Sequence, residues 1–170
     1  MVYVSVYQTR IFATMAHRHQ VRRGWEDYIE HPLRVEEIVR SISPDPRVWK
    51  AALLHDVVED CGVELDQIRE MHGIEVALWV GQLTAEDGVS SEMKVARSFK
   101  YIETAIVKFA DSIDNARLRP LDNWPGMDDA VARYRKNARR LGQYVAEQMP
   151  HTLFRINILL EEVGCESVHI

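Results

Sequence analysis

AALLHDVVED, residues 51–60, sets His55, Asp56, Glu59 and Asp60 among six residues that are all small or apolar. Successive residues of an α-helix advance by about 100°, so with His55 at the origin Glu59 falls at roughly 40°, Asp56 at roughly 100° and Asp60 at roughly 140°. Leu53, Leu54, Val57, Val58 and Ala51 fill the arc from roughly 160° to 320°, while Ala52, at roughly 60°, leaves room above the polar face. The spacing predicts an amphipathic helix with one face for a core and one for chemistry. A merely solvated surface helix would share that pattern. The His-Asp pair followed one turn later by Glu-Asp sets this segment apart, because unpaired charge beside a core costs several kcal/mol and calls for compensation. Imidazole nitrogen with carboxylate oxygen suits Mn²⁺, Fe²⁺ or Zn²⁺.

Working outward, apolar residues recur at three and four positions through most of the chain, and no alternating β-type run competes with them. Helices are expected over 3–18, 32–42, 45–60, 64–72, 74–84, 92–118, 127–147 and 150–163, which makes the chain all-α. SPDP, residues 43–46, offers Asp45 as an N-cap and Pro46 as the first helical residue. Gly73 ends a short helix, and AEDGVSS (85–91) and RPLDNWPG (119–126) read as loops. No repeat, Pro-rich linker or low-complexity tract divides the sequence, so residues 1–170 are expected to form one domain.

Composition narrows the function classes. A net charge of −5 argues against nucleic acid as a partner, although basic clusters such as HRHQVRR leave scope for a local anion pocket. No apolar run approaches the roughly 18–20 residues that span a bilayer, and the N-terminus lacks a basic segment followed by a long apolar one. Cys61 and Cys165 fit neither a C-x-x-C motif nor a disulfide framework, in keeping with a reducing compartment. The expectation is a cytoplasmic protein acting on a small molecule, without membrane or nucleic-acid partners and with its oligomeric state open.

Further ligands for a metal would have to come from elsewhere in the chain. His31 stands in YIEHPLRV, just before Pro32, and Asp111 interrupts an apolar stretch in AIVKFADSIDNARL. Each alone could equally be a cap or a satisfied core group.

Taken together, His31, His55-Asp56 and Asp111 resemble the H…HD…D signature of the HD-domain metal-dependent phosphohydrolases. AHRHQVRRGWEDYIEHPLRV, AALLHDVVED, VALWVGQLT and VKFADSIDNAR, in that order, are similar to the hydrolase half of RelA/SpoT enzymes and to the stand-alone small alarmone hydrolases. The likeness runs from about residue 16 to 121, roughly two thirds of the chain. It implies an HD-domain helical bundle that binds Mn²⁺ through His31, His55, Asp56 and Asp111, with Glu59 and Asp60 as the catalytic acids. It further implies that Arg22 packs against a guanine ring, with Arg23 beside it and Asn115 near the nucleoside. For Lys108 a structural and a phosphate-facing role fit equally.

The implied activity is hydrolysis of the 3′-diphosphate of ppGpp or pppGpp, releasing pyrophosphate and GDP or GTP. Spacing alone supports only a metal-assisted phosphoester hydrolase. Several positions depart from the resembled pattern: Ser112 stands where Arg is usual, Asp114 where His is common, His19 for Gly, Asp27 for Pro and Cys61 for Thr. The loss of the arginine keeps another substrate in play, such as a nucleotide monophosphate or NADPH. A non-catalytic nucleotide-binding HD module is the rival of another class. At 170 residues there is no room for synthetase and regulatory domains, so an alarmone enzyme of this length is expected only to degrade.

Overall fold

The computed structural model describes residues 4–22, 25–84, 88–117 and 123–170. Helix α1 (Val6–Ala16) opens on a capping box in which the Ser5 hydroxyl accepts from Gln8 N–H and the Gln8 side chain accepts from Ser5 N–H. Helices α2 (Glu30–Arg40) and α3 (Pro46–Leu54) follow, and the Asp45 carboxylate caps α3 by accepting from Arg47 N–H at 2.9 Å. Next come α4 (Val57–Cys61), α5 (Leu65–His72), α6 (Ile74–Leu83), α7 (Ser91–Ser98) and α8 (Ile102–Ala116). Helix α9 (Met127–Gln148), a 3₁₀ turn at Pro150–Thr152 and α10 (Leu153–Glu162) complete the chain. Among the described residues the only extended pairing is an isolated antiparallel bridge between Val21 and Asp27, so the all-α expectation holds.

Two long helices of the sequence reading are each divided. The helix expected over 45–60 breaks at His55 and Asp56. There the His55 Nδ1–H donates to the Ala52 carbonyl at 2.7 Å, the acceptor that a continuing helix assigns to the Asp56 N–H. The single helical wheel therefore does not run from Ala51 to Asp60: His55 turns inward and is buried, while Glu59 and Asp60 ride on α4 at the surface. The helix expected over 92–118 splits into α7 and α8, because the Thr104 hydroxyl caps the Ser98 carbonyl at 2.8 Å and Tyr101 takes an extended conformation. The expected loops at 85–91 and 119–126 fall partly outside the described residues.

Helix α8 is the axis of the molecule. Ala105, Ile106, Val107, Phe109, Ala110 and Ile113 are all buried, and so are Asp111, Ser112, Asp114 and Asn115, which makes it apolar nearly all round with a polar cluster at one end. It packs against α2, α3, α6, α7 and α9. Gly142 on α9 permits the closest approach, since a Cβ there would stand 3.1 Å from a Phe109 ring carbon and 3.0 Å from an Ile156 methyl. On the other side, fully buried Glu36 of α2 pairs with Arg10 of α1 at 2.5 Å and with Arg40, whose guanidinium lies over the Trp49 ring of α3. A buried carboxylate persists only when paired in this way.

His72 is buried between α1 and α5, with Nδ1 3.3 Å from the Thr9 hydroxyl, its edge toward Phe12 and no partner for Nε2. Burial, assisted by the nearby Lys50 ammonium, pushes its pKa down to about 4 from 6.5. Between those values the unfolded chain takes up a proton that the native state refuses, so stability falls as pH drops through this window. Acidification across it should cost about 3 kcal/mol at most through His72. His17, also lowered by burial, contributes in the same direction. Urea unfolding of wild type and His72→Phe across this pH range tests the point: the variant should show a visibly shallower loss of stability.

Candidate metal centre

Three parts of the fold deliver four side chains to one point. His31 comes from the first turn of α2, His55 and Asp56 from the break between α3 and α4, and Asp111 from the middle of α8. His55 Nε2 lies 3.2 Å from Asp56 Oδ2 and 3.9 Å from Asp111 Oδ1. His31 Nε2 lies 3.7 Å and 3.3 Å from the same two oxygens. A first-row ion with bonds of about 2.0–2.2 Å spaces its ligands roughly 3–4 Å apart, which these separations match. Ligand atoms of the buried residues His31, His55 and Asp111 all lie within 4.8 Å of one another.

The donor chemistry agrees with the spacing. Because the Ala52 carbonyl can only accept, His55 carries its proton on Nδ1, and its Nε2 lone pair points at the carboxylates. That buried nitrogen has no hydrogen-bond partner in the protein. A lone pair facing carboxylate oxygens is repulsive without a positive charge between them, so the residues fit a cation. Burial opposes ionisation of Asp111, yet the Lys108 ammonium at 2.8 Å, together with His31 and His55, holds its carboxyl well below the usual range. Asp56 is also lowered, as His55 and His31 outweigh burial. For His31 burial works against protonation, but Asp111 and Asp114 prevail and raise its pKa above 6.5.

Around this point lies a cleft of about 390 Å³. Its wall carries Glu59 and Asp60, the former paired with Lys94 at 3.2 Å. The Tyr28 hydroxyl bridges the acids, 2.5 Å from Asp60 Oδ2 and 2.9 Å from Asp56 Oδ2. Burial raises the Asp60 carboxyl, the Tyr28 hydrogen bond works against it, and the charges of Asp56 and Glu59 add to the rise. Arg22 reaches the cleft from the hairpin closed by the Val21–Asp27 bridge. Its guanidinium donates to Asn115 Oδ1 at 2.8 Å and lies over the Tyr28 ring. His19 in the same segment has φ 69°, a left-handed conformation that glycine adopts freely, which accounts for glycine in the resembled pattern.

Of the residues singled out from sequence, His31, His55, Asp56, Glu59, Asp60, Lys108, Asp111, Arg22 and Asn115 all line this cleft, and Arg23 lies outside the described residues. Lys108 is engaged with Asp111, so positive charge persists beside that acid although Ser112 replaces the usual arginine. Ser112 instead turns its hydroxyl back to the Lys108 carbonyl. Sequence reasoning missed Tyr28, Lys94, Arg133 and Tyr134 as cleft residues. Tyr28 had a signal, three residues before His31; the other three come from distant helices and had none.

The fold is an all-helical bundle with a candidate metal site of histidines and aspartates converging between its helices. Residues 9–108 match the HD-domain family, and the chain belongs to it. It is 28% identical to guanosine-3′,5′-bis(diphosphate) 3′-pyrophosphohydrolase of Vibrio cholerae, over 97% of this chain and 24% of that protein. Identity is 33% to a probable enzyme of the same name from Synechocystis, over 77% of this chain and 19% of the relative. The chain thus spans less than a quarter of the length of these curated relatives. A solved metazoan ortholog of SpoT, described as hydrolysing ppGpp and acting in starvation responses, shares the fold with a TM-score of 0.72 at 24% identity, covering 96% of each chain. No helix among the described residues is long and apolar enough to cross a membrane.

Titrating metal-free protein with Mn²⁺ should show binding that is lost in Asp111→Ala. Since Asp111 and Asp114 raise the His31 pKa, uptake of the ion should release protons and weaken as the solution is acidified through that raised pKa. Calorimetry in buffers of differing ionisation enthalpy measures both effects.

Proposed function

We propose that the chain hydrolyses the 3′-diphosphate of ppGpp or pppGpp, releasing pyrophosphate and GDP or GTP, with Mn²⁺ held by His31, His55, Asp56 and Asp111. The observation that carries this reading is the convergence of two imidazole nitrogens and two carboxylate oxygens on one point of the cleft, with His55 Nε2 lacking a hydrogen-bond partner in the protein. The printed activities of the relatives supply the substrate class. Imidazole and carboxylate without thiolate favour Mn²⁺ among the first-row ions, with Fe²⁺ and Zn²⁺ as the alternatives.

When bound, the ion would polarise the 3′-phosphate and lower the pKa of the attacking water. In this reading Glu59 takes the proton of that water as a new P–O bond forms. The bond from phosphorus to the ribose 3′ oxygen breaks, and that oxygen receives a proton from Asp60. The raised pKa of Asp60 suits a donor, because it retains its proton at a pH where an ordinary aspartate has lost it. The Tyr28 hydroxyl, between Asp60 and Asp56, ties Asp60 to the ligand set.

Lys94, Lys108 and Arg133 bring positive charge to the cleft of a protein that is acidic overall, a local field suited to a substrate with several phosphates. Arg22 is assigned to the guanine ring, where a planar guanidinium stacks as an ammonium cannot, and Asn115 holds it in place from α8. Arg23 is assigned beside it on the resemblance alone. Residues 1–170 act as one hydrolase domain, and the partner is a small guanosine nucleotide.

The deciding experiment incubates the purified protein and Mn²⁺ with ppGpp, pppGpp, NADPH and nucleotide monophosphates, and identifies products by anion-exchange chromatography. Pyrophosphate with GDP or GTP is expected. Orthophosphate from NADPH or a monophosphate, with the alarmones untouched, would replace the substrate assignment, and no turnover of any of them would leave a binding module. Glu59→Gln should retain Mn²⁺ while hydrolysis slows by about 10²- to 10⁴-fold, the usual cost of losing a general base.

A further inference from the structure

Asp114 is 1% exposed and sits one helical turn beyond Asp111 on α8, yet the reading above gives it no part. Its Oδ2 lies 2.7 Å from His31 Nδ1, and its Oδ1 accepts from Arg34 Nε at 2.7 Å. Arg34 NH2 approaches Oδ2 at 3.3 Å, and Arg22 NH1 stands 3.8 Å from the same oxygen. The far edge of the Arg34 guanidinium is held in turn by Glu26, with contacts of 2.6 and 2.9 Å. A carboxylate ringed by two guanidinium groups stays ionised and can only accept, so the proton of the His31–Asp114 hydrogen bond belongs to Nδ1.

We propose that Asp114, clamped by Arg34, is a positioning residue that locks His31 in the Nδ1-protonated tautomer and aims its Nε2 lone pair at the metal. This rests on the metal reading given above. The two imidazoles are therefore set by different devices: His55 by a neutral backbone carbonyl, His31 by a charged carboxylate. A charged acceptor makes the imidazole a stronger donor to the ion and holds its ring more firmly. The aspartate at this position, where the resembled pattern commonly has histidine, is thus a working substitution, joined to the rest of the site through α2. The clamp also reaches the hairpin that carries Arg22, because Glu26 accepts from Arg22 N–H through its backbone at 2.8 Å. A backbone bond thus joins Arg22 to Glu26, from which charge-assisted bonds run through Arg34 and Asp114 to His31.

The test compares Mn²⁺ affinity of wild type, Asp114→Asn and Arg34→Gln, read from the electron paramagnetic resonance signal of free Mn²⁺. Asparagine keeps the size of the side chain but can turn an N–H₂ donor toward His31 Nδ1 and favour the wrong tautomer. Asp114→Asn should bind Mn²⁺ about 10- to 100-fold more weakly. Its turnover should recover as Mn²⁺ is raised, a rescue that general structural damage would not allow. In Zn²⁺-loaded protein, long-range ¹H–¹⁵N spectra should show His31 protonated on Nδ1 in wild type. Arg34→Gln, which leaves the carboxylate in place, should lose affinity several-fold and keeps the proposal testable if Asp114→Asn fails to fold. Wild-type affinity in both folded variants, or a His31 proton on Nε2 in the Zn²⁺ form, overturns the positioning role alone. Failure of wild type to bind any divalent ion overturns the metal reading and this proposal with it.

Discussion

The His55 Nε2 lone pair and two carboxylate oxygens meet beside His31 inside a helical bundle, and a lone pair facing carboxylates is repulsive unless a positive charge stands between them. Much of the fold can be understood from that constraint. The four groups come from α2, from the α3–α4 break and from α8, so those elements must pack closely enough to bring their ends to one point. The apolar stretch of α8 from Ala105 to Ala110 provides the packing, and Gly142 lets α9 close over its other side. The break at His55 belongs to the same design: a helix that continued through it would keep the Ala52 carbonyl for its own ladder and leave the imidazole free to choose its tautomer.

Charge is arranged in alternating shells around that centre. Next to the acids stand Lys108 and the imidazoles; behind His31 lies Asp114, behind it Arg34, and behind that Glu26. Each of these charges has a neighbour of opposite sign, which is the condition under which ionised groups survive away from water. On the open side Arg22, Lys94 and Arg133 stand in the cleft wall together with Glu59 and Asp60. An acidic protein can thus bring cationic side chains to a small anion, because the field in a cleft is set by the groups that line it and not by the sum over the chain.

The helical character of the chain was legible because periodicity depends on short-range order, and the cleft residues named from the sequence were legible through the order of their motifs. Asp45 and Pro46 begin α3 where the sequence indicates, since a cap and a fixed φ act within a few residues. The divisions at His55–Asp56 and between α7 and α8 were not legible, because each depends on a side chain capturing a backbone carbonyl, His55 on Ala52 and Thr104 on Ser98. Apolar spacing passes smoothly through both places. Tyr28 bridging Asp56 and Asp60 also escaped, for its reach to both acids follows from how the segment before α2 lies against the α3–α4 break.

By itself the sequence determined which side chains are available for chemistry and that the chain is helical, because residue type and periodicity are local properties. His31, His55, Asp56 and Asp111 stand out in it through their order along the chain and through the motif that this order resembles. Only the tertiary structure decided how those groups are oriented. Which nitrogen of each imidazole faces inward depends on Ala52 and Asp114, the rise in the Asp60 pKa depends on its burial, and Lys108 is engaged with Asp111. A hydrogen bond requires two groups at about 3 Å with aligned lone pairs. Between residues as distant in sequence as His31 and Asp114, that geometry exists only once the helices have packed.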